Sequence, residues 1–337
     1  MGTDDVFAIL HVLMKSSNNS SLYLAGMSMV TGMQLDTTNS IKILQELQAF
    51  TNIFTTTNNG RPLLFDTHDP KGLIPAESHS FLEGDWYVKR WKEREENLDK
   101  LLGLPPLYGN ETNLMKVVSG KDFTNEMFKL LSNYRNDPIS ILAIGPLTNI
   151  ARLVIESGGH NLLKETVNQI VVMGGGVNIK DTSNEMNGAE WNFYCDSISV
   201  EIALNYFSGR IVLFDLLVAN LDVVNDTNAQ DILNYASKFN YKTTSIPHFM
   251  SELLKMSRAS ATFDLVASFY FTNPELFTFE SICVEIYTQF PKQGIIKQVD
   301  CSISSRIMVK RAVSLNRNAY LQHVKDLFTP TTFKNNQ

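Results

Sequence analysis

The chain has 337 residues, of which 44% are hydrophobic, and carries a formal net charge of −6. Its length allows one large α/β domain or two smaller domains, each with a sizeable core. The densest basic stretch, 89–100, interleaves Lys and Arg with acidic residues. That pattern is typical of a solvated helix face, so we expect no nucleic-acid partner. No apolar stretch reaches membrane-spanning length, so we expect no membrane partner either.

The chain contains three cysteines, Cys195, Cys283 and Cys301. They have no metal-ligand spacing, and an odd number cannot all pair within one chain. A reducing compartment is therefore the default, because disulfides are rare there. No signal peptide is recognisable, and we predict a cytoplasmic location.

The first predicted element is a helix that opens with Asp4 and Asp5, followed by the apolar run 6–10. Thr3 is a suitable N-cap, and acids in the first turn complement the partial positive charge at a helix N-terminus. The simple interpretation is a capped helix start. The alternative is half of a metal site, because binding groups cluster in the strand-to-helix turns of layered α/β proteins.

Short β-like runs alternate with helical stretches along the rest of the chain. The predicted strands are 22–30, 62–65, 139–144, 167–173 and 211–215, and the predicted helices are 40–50, 148–156, one beginning near 228, and 245–255. Near the C-terminus, 282–290 and 294–299 predict a hairpin. Apolar strands separated by helices indicate a mostly parallel central sheet with helices on both faces. No linker divides the chain, so we predict one α/β domain, 1–330, and a C-terminal tail, 331–337.

Four segments at strand ends carry the polar residues of a candidate site, because ligands collect at the carboxyl ends of parallel strands. They are Asp4-Asp5, the turn 143–149, the loop from Gly174 to Asn192, and Phe263-Asp264. Each signal is weak alone. Asp264 before an apolar helix is more often a cap than a ligand, and the triple glycine at 174–176 lacks the spacing of a phosphate-binding loop.

Combined, these segments predict a cation site. Asp5, Asp264 and the strand-end carbonyl of Ile144 offer an all-oxygen set, which suits a hard cation and preferably calcium. His248 has no partner at metal-ligand spacing, so zinc is disfavoured.

Other side chains of the same segments suit a sugar and an aromatic base. Glu190 and Asn192 are typical of a pair that reads a polyol. Trp86 and Phe263 would supply flat surfaces for an aromatic group, although helix packing is the simpler interpretation of Trp86.

Five motifs in this order resemble the inosine/uridine-preferring nucleoside hydrolase superfamily, and its purine-preferring inosine-adenosine-guanosine branch most of all. They are Gly2-Thr3-Asp4-Asp5, Ile144-Gly145-Pro146-Leu147-Thr148-Asn149, Val172-Met173-Gly174-Gly175-Gly176, Ala189-Glu190-Trp191-Asn192 with Asp196, and Phe263-Asp264. The resemblance covers nearly the whole chain. It implies a single-domain α/β fold and calcium-assisted hydrolysis of the N-glycosidic bond of purine ribonucleosides to free base and ribose. It also implies a homo-oligomer, a dimer or a tetramer.

The resemblance implies roles for individual residues. The calcium ligands would be Asp5, Asp264 and the carbonyl of Ile144. The substrate-binding residues would be Asp4 and Asn192 on the ribose hydroxyls, Glu190 with Asn184 on the 5′-hydroxyl, and Trp86 and Phe263 on the purine. Thr182 is the second choice for the position given to Asn184, because the placement of a gap there is ambiguous.

Phe263 bears on the choice of base. The pyrimidine-accepting branch tends to have a histidine before the last aspartate, where it protonates the leaving group. Phe263 cannot donate a proton, so activation would come from stacking and solvent. A purine ring nitrogen is basic enough for this, and uracil is a poorer candidate, which favours purines over uridine.

The chain departs from the family motif Asp-x-Asp-x-Gly-x-Asp-Asp, of which only Gly-Thr-Asp-Asp follows Met1. The general-base aspartate, a further calcium ligand and the first strand are therefore expected upstream of Met1, and no catalytic residue is assigned. A second departure is Thr31-Gly32-Met33, where relatives have a polar residue near the base.

The alternative function is a catalytically impaired or inactive relative, or a fragment, that binds nucleoside or sugar only. A generic α/β protein would require five separate coincidences.

Overall fold

The computed structural model describes residues 3–18, 22, 24–28, 30, 63–66, 116–119, 123–158, 161–178, 185–186, 188–221, 226–241, 246–257, 262–302 and 306–329. The strands are β1 (Gly26–Ser28), β2 (Leu63–Asp66), β3 (Lys116–Ser119), β4 (Ile139–Ala143), β5 (Val167–Met173), β6 (Glu185–Met186), β7 (Ala189–Glu190), β8 (Ile211–Phe214), β9 (Phe277–Ile286), β10 (Ile296–Val299) and β11 (Ile307–Leu315).

The α-helices are α1 (Thr3–Asn18), α2 (Phe123–Ser132), α3 (Thr148–Glu156), α4 (Leu162–Thr166), α5 (Trp191–Cys195), α6 (Ser197–Tyr206), α7 (Leu216–Ala219), α8 (Asp226–Ala236), α9 (Ile246–Ser257), α10 (Phe263–Ser268) and α11 (Arg317–Asp326). Two 3₁₀ turns, Phe269–Phe271 and Pro274–Leu276, connect α10 to β9.

The larger sheet has six strands in the order β10-β9-β11-β8-β5-β4. Strands β4, β5, β8 and β11 are parallel, and β9 pairs antiparallel with both β11 and β10. Strands β1, β2 and β3 form a separate parallel sheet. Strands β6 and β7 form a two-stranded antiparallel sheet. The prediction of an α/β fold with a mostly parallel central sheet is confirmed, although the described strands fall into three sheets rather than one.

Both faces of the larger sheet are covered, as expected for parallel strands. Alternate residues of β5 point into different cores: Val171 and Met173 pack with α1, α9 and α10, whereas Ile170 and Val172 pack with α3 and α6. Two-sided burial explains why residues 170–173 of β5 form an apolar run rather than an alternating pattern. It also places the carboxyl end of β5 between two layers of helices.

The predicted elements agree best where the apolar pattern is compact. Residues 148–156 and 167–173 form α3 and β5 as predicted, and the hairpin is present as β9 and β10. The first helix ends at Asn18, and among the described residues of the strand predicted at 22–30 only Gly26–Ser28 form a strand, β1. The helix predicted at 40–50 lies outside the described residues.

Cys283 and Cys301 form a disulfide, with their Cα atoms 5.2 Å apart, and Cys195 is a buried free thiol. The bond ties β9 to the turn that follows β10. Closing a loop of this size stabilises a fold by about 3 kcal/mol in the chain-entropy description. The pairing weighs against the reducing compartment expected from the sequence, and the cytoplasmic location stays a prediction. Within the described residues, no helix has the length and apolar character needed to cross a membrane.

The hairpin turn between β9 and β10 packs directly against α5. Gly294 in this turn has φ +79°, and a Cβ atom there would lie 2.6 Å from the backbone nitrogen of Tyr194 and 2.7 Å from the carbonyl oxygen of Phe193. Because the obstacles are backbone atoms, a rotamer change cannot relieve the clash. The absence of a side chain at position 294 therefore permits the hairpin to support α5.

We predict that Gly294→Ala destabilises the protein more than Gly158→Ala. Both glycines have positive φ, but a Cβ atom at Gly158 would meet nothing within 4 Å. The control, Gly158→Ala, should lower the free energy of unfolding by about 1 kcal/mol, because alanine is disfavoured in the left-handed backbone conformation. Gly294→Ala should lower it by about 1–3 kcal/mol more, because its Cβ atom overpacks the contact with α5. Urea unfolding of both variants measures the difference, and equal losses would contradict the close approach.

Candidate functional site

The N-terminal turns of α1 and α10 bring three acids together. Asp4, Asp5 and Asp264 each offer a carboxylate oxygen, and these oxygens all lie within 4.8 Å of one another. Asp264 is buried, whereas Asp4 and Asp5 are partly exposed. The two parts of the predicted cation site, which lie at opposite ends of the sequence, are therefore neighbours in space.

The chemistry of this cluster fits a hard cation. Three carboxylates at this separation repel one another when ionised, and a divalent cation with oxygen ligands removes that repulsion. The acids also lie in the first turns of two helices, where the partial positive charge of the helix N-terminus favours negative groups. Among the described residues, no histidine or cysteine belongs to a potential metal-binding group, which fits calcium better than zinc.

Packing of α1 along α10 brings the acids together. Val6 and Leu10 on α1 and Leu265 and Val266 on α10 are fully buried members of one apolar core. Burying such side chains stabilises a fold by about 1.5–3 kcal/mol each. The core therefore supplies the free energy that holds like charges near one another.

The turn after β4 supplies the carbonyl of Ile144, which contacts Asn192. The side-chain nitrogen of Asn192 donates to the carbonyl oxygen of Ile144 at 3.4 Å and to that of Met173 at 3.2 Å. Asn192 thus bridges the carboxyl ends of β4 and β5. A carbonyl oxygen has two lone pairs, so Ile144 keeps acceptor capacity for a cation.

The carboxylate of Glu190 is fully buried and caps α5. It accepts hydrogen bonds from the backbone nitrogens of Asn192 (2.9 Å), Gly175 (2.9 Å) and Phe193 (3.2 Å). Burial raises the pKa of Glu190 to about 7, against the opposing effect of these three donors. Glu190, predicted to bind the 5′-hydroxyl, therefore fixes the position of Asn192.

The triple glycine after β5 is a close-packing feature. A Cβ atom on Gly174 would lie 2.6 Å from the ring of Phe193. The loop must approach α5 closely so that Gly175 can donate to Glu190. The triple glycine thus serves packing and a hydrogen bond within the protein.

Asp196 and Thr148, two further residues of the quoted motifs, form a buried brace. Asp196 caps α6 through the backbone nitrogen of Ser199, and its carboxylate also accepts from the hydroxyl of Thr148 at 2.6 Å. The turn after β4 is therefore tied to the start of α6. Asn149 in the same turn donates to the hydroxyl of Ser28 at 3.3 Å, which brings the end of β1 to this edge of the larger sheet.

A buried ion pair next to the glycine loop 174–176 was not predicted from the sequence. Arg311 in β11 contacts Asp215 at 2.8 Å and donates to the carbonyl of Val177 at 3.1 Å. Asp215 also accepts from the backbone nitrogens of Val177 and Leu217. Burial raises the pKa of Asp215, and the charge of Arg311 opposes that shift. An acid directly after a buried strand was a usable signal for Asp215, whereas nothing in the sequence singled out Arg311.

Phe263, predicted to contact the base, is the first residue of α10 and is 8% exposed within the apolar core. Trp86, Asn184 and Thr182 lie outside the described residues. The structure thus brings together Asp4, Asp5 and Asp264 as one group and Ile144, Glu190 and Asn192 as another.

Comparison with protein families decides the affiliation. The model of the inosine-uridine preferring nucleoside hydrolase family matches residues 1–322. The chain belongs to this family. The resemblance inferred from the five motifs is confirmed at the level of the superfamily.

Individual relatives are more distant. The chain is 28% identical over 196 residues to the non-specific ribonucleoside hydrolase RihC of Escherichia coli O127:H6, a match that covers 57% of this chain and 60% of the relative. Among solved structures, it is similar to an inosine-uridine preferring nucleoside hydrolase from Bacillus anthracis, with 16% identity, a TM-score of 0.67 and coverage of 97% and 96%. It is also similar to an inosine-guanosine nucleoside hydrolase, with 17% identity, a TM-score of 0.68 and the same coverage. These structures support the fold.

We predict that ionisation of Glu190 lowers the free energy of unfolding as the pH rises from about 4.5 to about 7. Its pKa is raised from 4.5 to about 7 in the folded protein, so between these values the folded state binds the proton more tightly than the unfolded state. The difference in free energy of unfolding between the wild type and Glu190→Gln should fall by up to about 1.4 kcal/mol per pH unit in that window. Urea unfolding at several pH values measures it, and a constant difference would show that burial does not dominate.

Proposed function

We propose that this protein hydrolyses the N-glycosidic bond of ribonucleosides, releasing the base and ribose. The observation that carries the proposal is the group of three carboxylates, Asp4, Asp5 and Asp264, within 4.8 Å at the junction of two helices. Membership of the nucleoside hydrolase family supports the same reaction. From the family resemblance we also propose that the protein is a homo-oligomer.

We propose calcium as the cofactor, held by Asp5, Asp264 and the carbonyl of Ile144. The fit rests on the all-oxygen donor set and on the burial of Asp264. A bound divalent cation supplies a Lewis acid that orients the ribose hydroxyls and lowers the pKa of a water molecule.

The remaining side chains bind and orient the sugar. Asp4 accepts hydrogen bonds from ribose hydroxyls at the exposed side of the acid cluster. Asn192, held by the ends of β4 and β5, presents a rigid amide to the ribose, because its backbone nitrogen is fixed by Glu190. Glu190, with Asn184, binds the 5′-hydroxyl. Rigid orientation of a substrate is worth a large share of an enzyme's rate enhancement.

We predict that Asp5→Asn and Asp264→Asn each lower the rate of ribose release from inosine by at least about 100-fold. The reason is that losing even an outer-shell partner of a metal typically costs about 10–100-fold. Asp231→Asn is the matched control, because Asp231 is exposed on α8 and should leave the rate unchanged. A reducing-sugar assay with added calcium measures the rates.

Two outcomes of that assay would decide against the proposal. Equal activity of Asp5→Asn, Asp264→Asn and the wild type would remove the acid cluster from the reaction. Tight binding of inosine by the wild type without ribose release would support the alternative of a relative that binds nucleoside but does not cleave it.

We further propose a preference for purines, with Trp86 and Phe263 contacting the base. Phe263 precedes Asp264 and has no proton to give to a leaving uracil, whereas a purine can be protonated from solvent. The ratio of kcat/KM for inosine to that for uridine should therefore exceed about 10, equivalent to about 1.4 kcal/mol in transition-state stabilisation. Competing-substrate kinetics measure the ratio, and equal values would abolish the preference.

A further inference from the structure

His11 is a buried histidine between α1 and α10 that the proposed chemistry does not use. It is 0% exposed, and its ring stacks on Phe269 with centroids 4.1 Å apart. Its Nδ1 lies 2.8 Å from the hydroxyl oxygen of Ser268, and its Nε2 lies 3.3 Å from that of Thr272. One side chain of α1 therefore contacts α10 and the turn after it at two defined points.

The surrounding hydrogen bonds fix the state of the ring. The hydroxyl of Ser268 donates to the carbonyl of Leu265 at 2.7 Å, so it accepts from His11, and Nδ1 carries the proton. Nε2 of the neutral ring can then only accept, and the single proton of the Thr272 hydroxyl has two acceptors within reach, Nε2 at 3.3 Å and the carbonyl oxygen of Phe269 at 3.4 Å. Burial lowers the pKa of His11 to about 3, with smaller contributions from Lys15 and His323, so the ring is neutral in this arrangement.

Helical geometry places this contact below the acid cluster. His11 lies seven residues after Asp4, and Ser268 lies four residues after Asp264, so each pair occupies one face of its helix. At 1.5 Å per residue, the contact lies about 10 Å along α1 and about 6 Å along α10 from the acids. A shift of α1 along α10 would move Asp4 and Asp5 by the same amount relative to Asp264.

Apolar contacts alone specify such a register weakly. The hydrophobic effect is non-directional, and Val6, Leu10 and Leu265 would remain buried after a small slide or rotation. Directional hydrogen bonds lose most of their strength with a displacement of less than an ångström. Leaving a buried donor and acceptor without partners also costs free energy, so the bonded register is favoured over its neighbours.

We propose that His11 is a positioning residue that locks α1 against α10 and so keeps Asp4 and Asp5 within reach of Asp264. The inference rests on the proposed function in one respect, namely that these acids bind a divalent cation. It assigns His11 no contact with substrate or cation.

Calcium binding by the full chain tests the proposal, measured by calorimetric titration of the calcium-free protein. His11→Leu keeps the volume approximately and removes both hydrogen bonds, and it should weaken calcium binding by at least about 10-fold. His11→Asn places an amide nitrogen near the position of Nδ1, restores the donor to Ser268, and should bring the affinity back to within about 3-fold of the wild type.

A second variant separates positioning from general destabilisation. Val200 is fully buried on α6 in the other core, on the opposite face of the sheet, and Val200→Ala lowers stability without touching the α1–α10 contact. It should bind calcium like the wild type. Urea unfolding in the absence of calcium shows that each variant is folded.

The outcomes distinguish a failure of the role proposed for His11 from a failure of the proposed cation site. Unchanged affinity in folded His11→Leu, or equal weakening in Val200→Ala, would overturn the role of His11 and leave the proposed function standing. An unaltered chain that binds no calcium would overturn the proposed cation site, and the inference with it. Weakening in His11→Leu alone, with recovery in His11→Asn, supports the lock.

Discussion

The fold must hold three carboxylates together against their mutual repulsion. Asp4 and Asp5 on α1 and Asp264 on α10 approach within 4.8 Å because the two helices share one buried apolar interface. Isolated carboxylates in water would separate, since their repulsion outweighs any local attraction. Burial of the apolar surface of α1 therefore offsets the cost of concentrating three carboxylates in one place.

Buried acids elsewhere act as internal supports rather than as reactive groups. Glu190 accepts from the backbone of Gly175 within the triple glycine, and Asp215 accepts from the backbone of Val177 just after it. Arg311 in β11 pairs with Asp215. Such buried charges are costly to remove singly because the partner is left unpaired. The position of Asn192 thus depends on the buried carboxylate of Glu190, which accepts from its backbone nitrogen.

Much of the architecture followed from the sequence, because stretches such as Ile170 to Met173 are buried on both faces of the sheet and are continuous apolar runs. The proximity of the three carboxylates was also predictable, since acids at helix starts and strand ends mark one edge of a parallel sheet. Strand Ile307–Leu315 was missed although it lies inside the sheet, because Lys310 and Arg311 break its apolar pattern. Their charges are accommodated by partners distant in sequence, Phe279 for one and Asp215 for the other, and no local pattern reveals such partners.

The Cys283–Cys301 bond connects the chemical environment to the geometry of the site. It fastens β9 to the end of β10, and the turn between these strands packs at Gly294 against the helix that presents Asn192. A thiol reagent in a purification buffer would break this bond and loosen the hairpin that packs against the helix carrying Asn192. The oxidation state of Cys283 and Cys301 should therefore be held constant when preparations of this protein are compared.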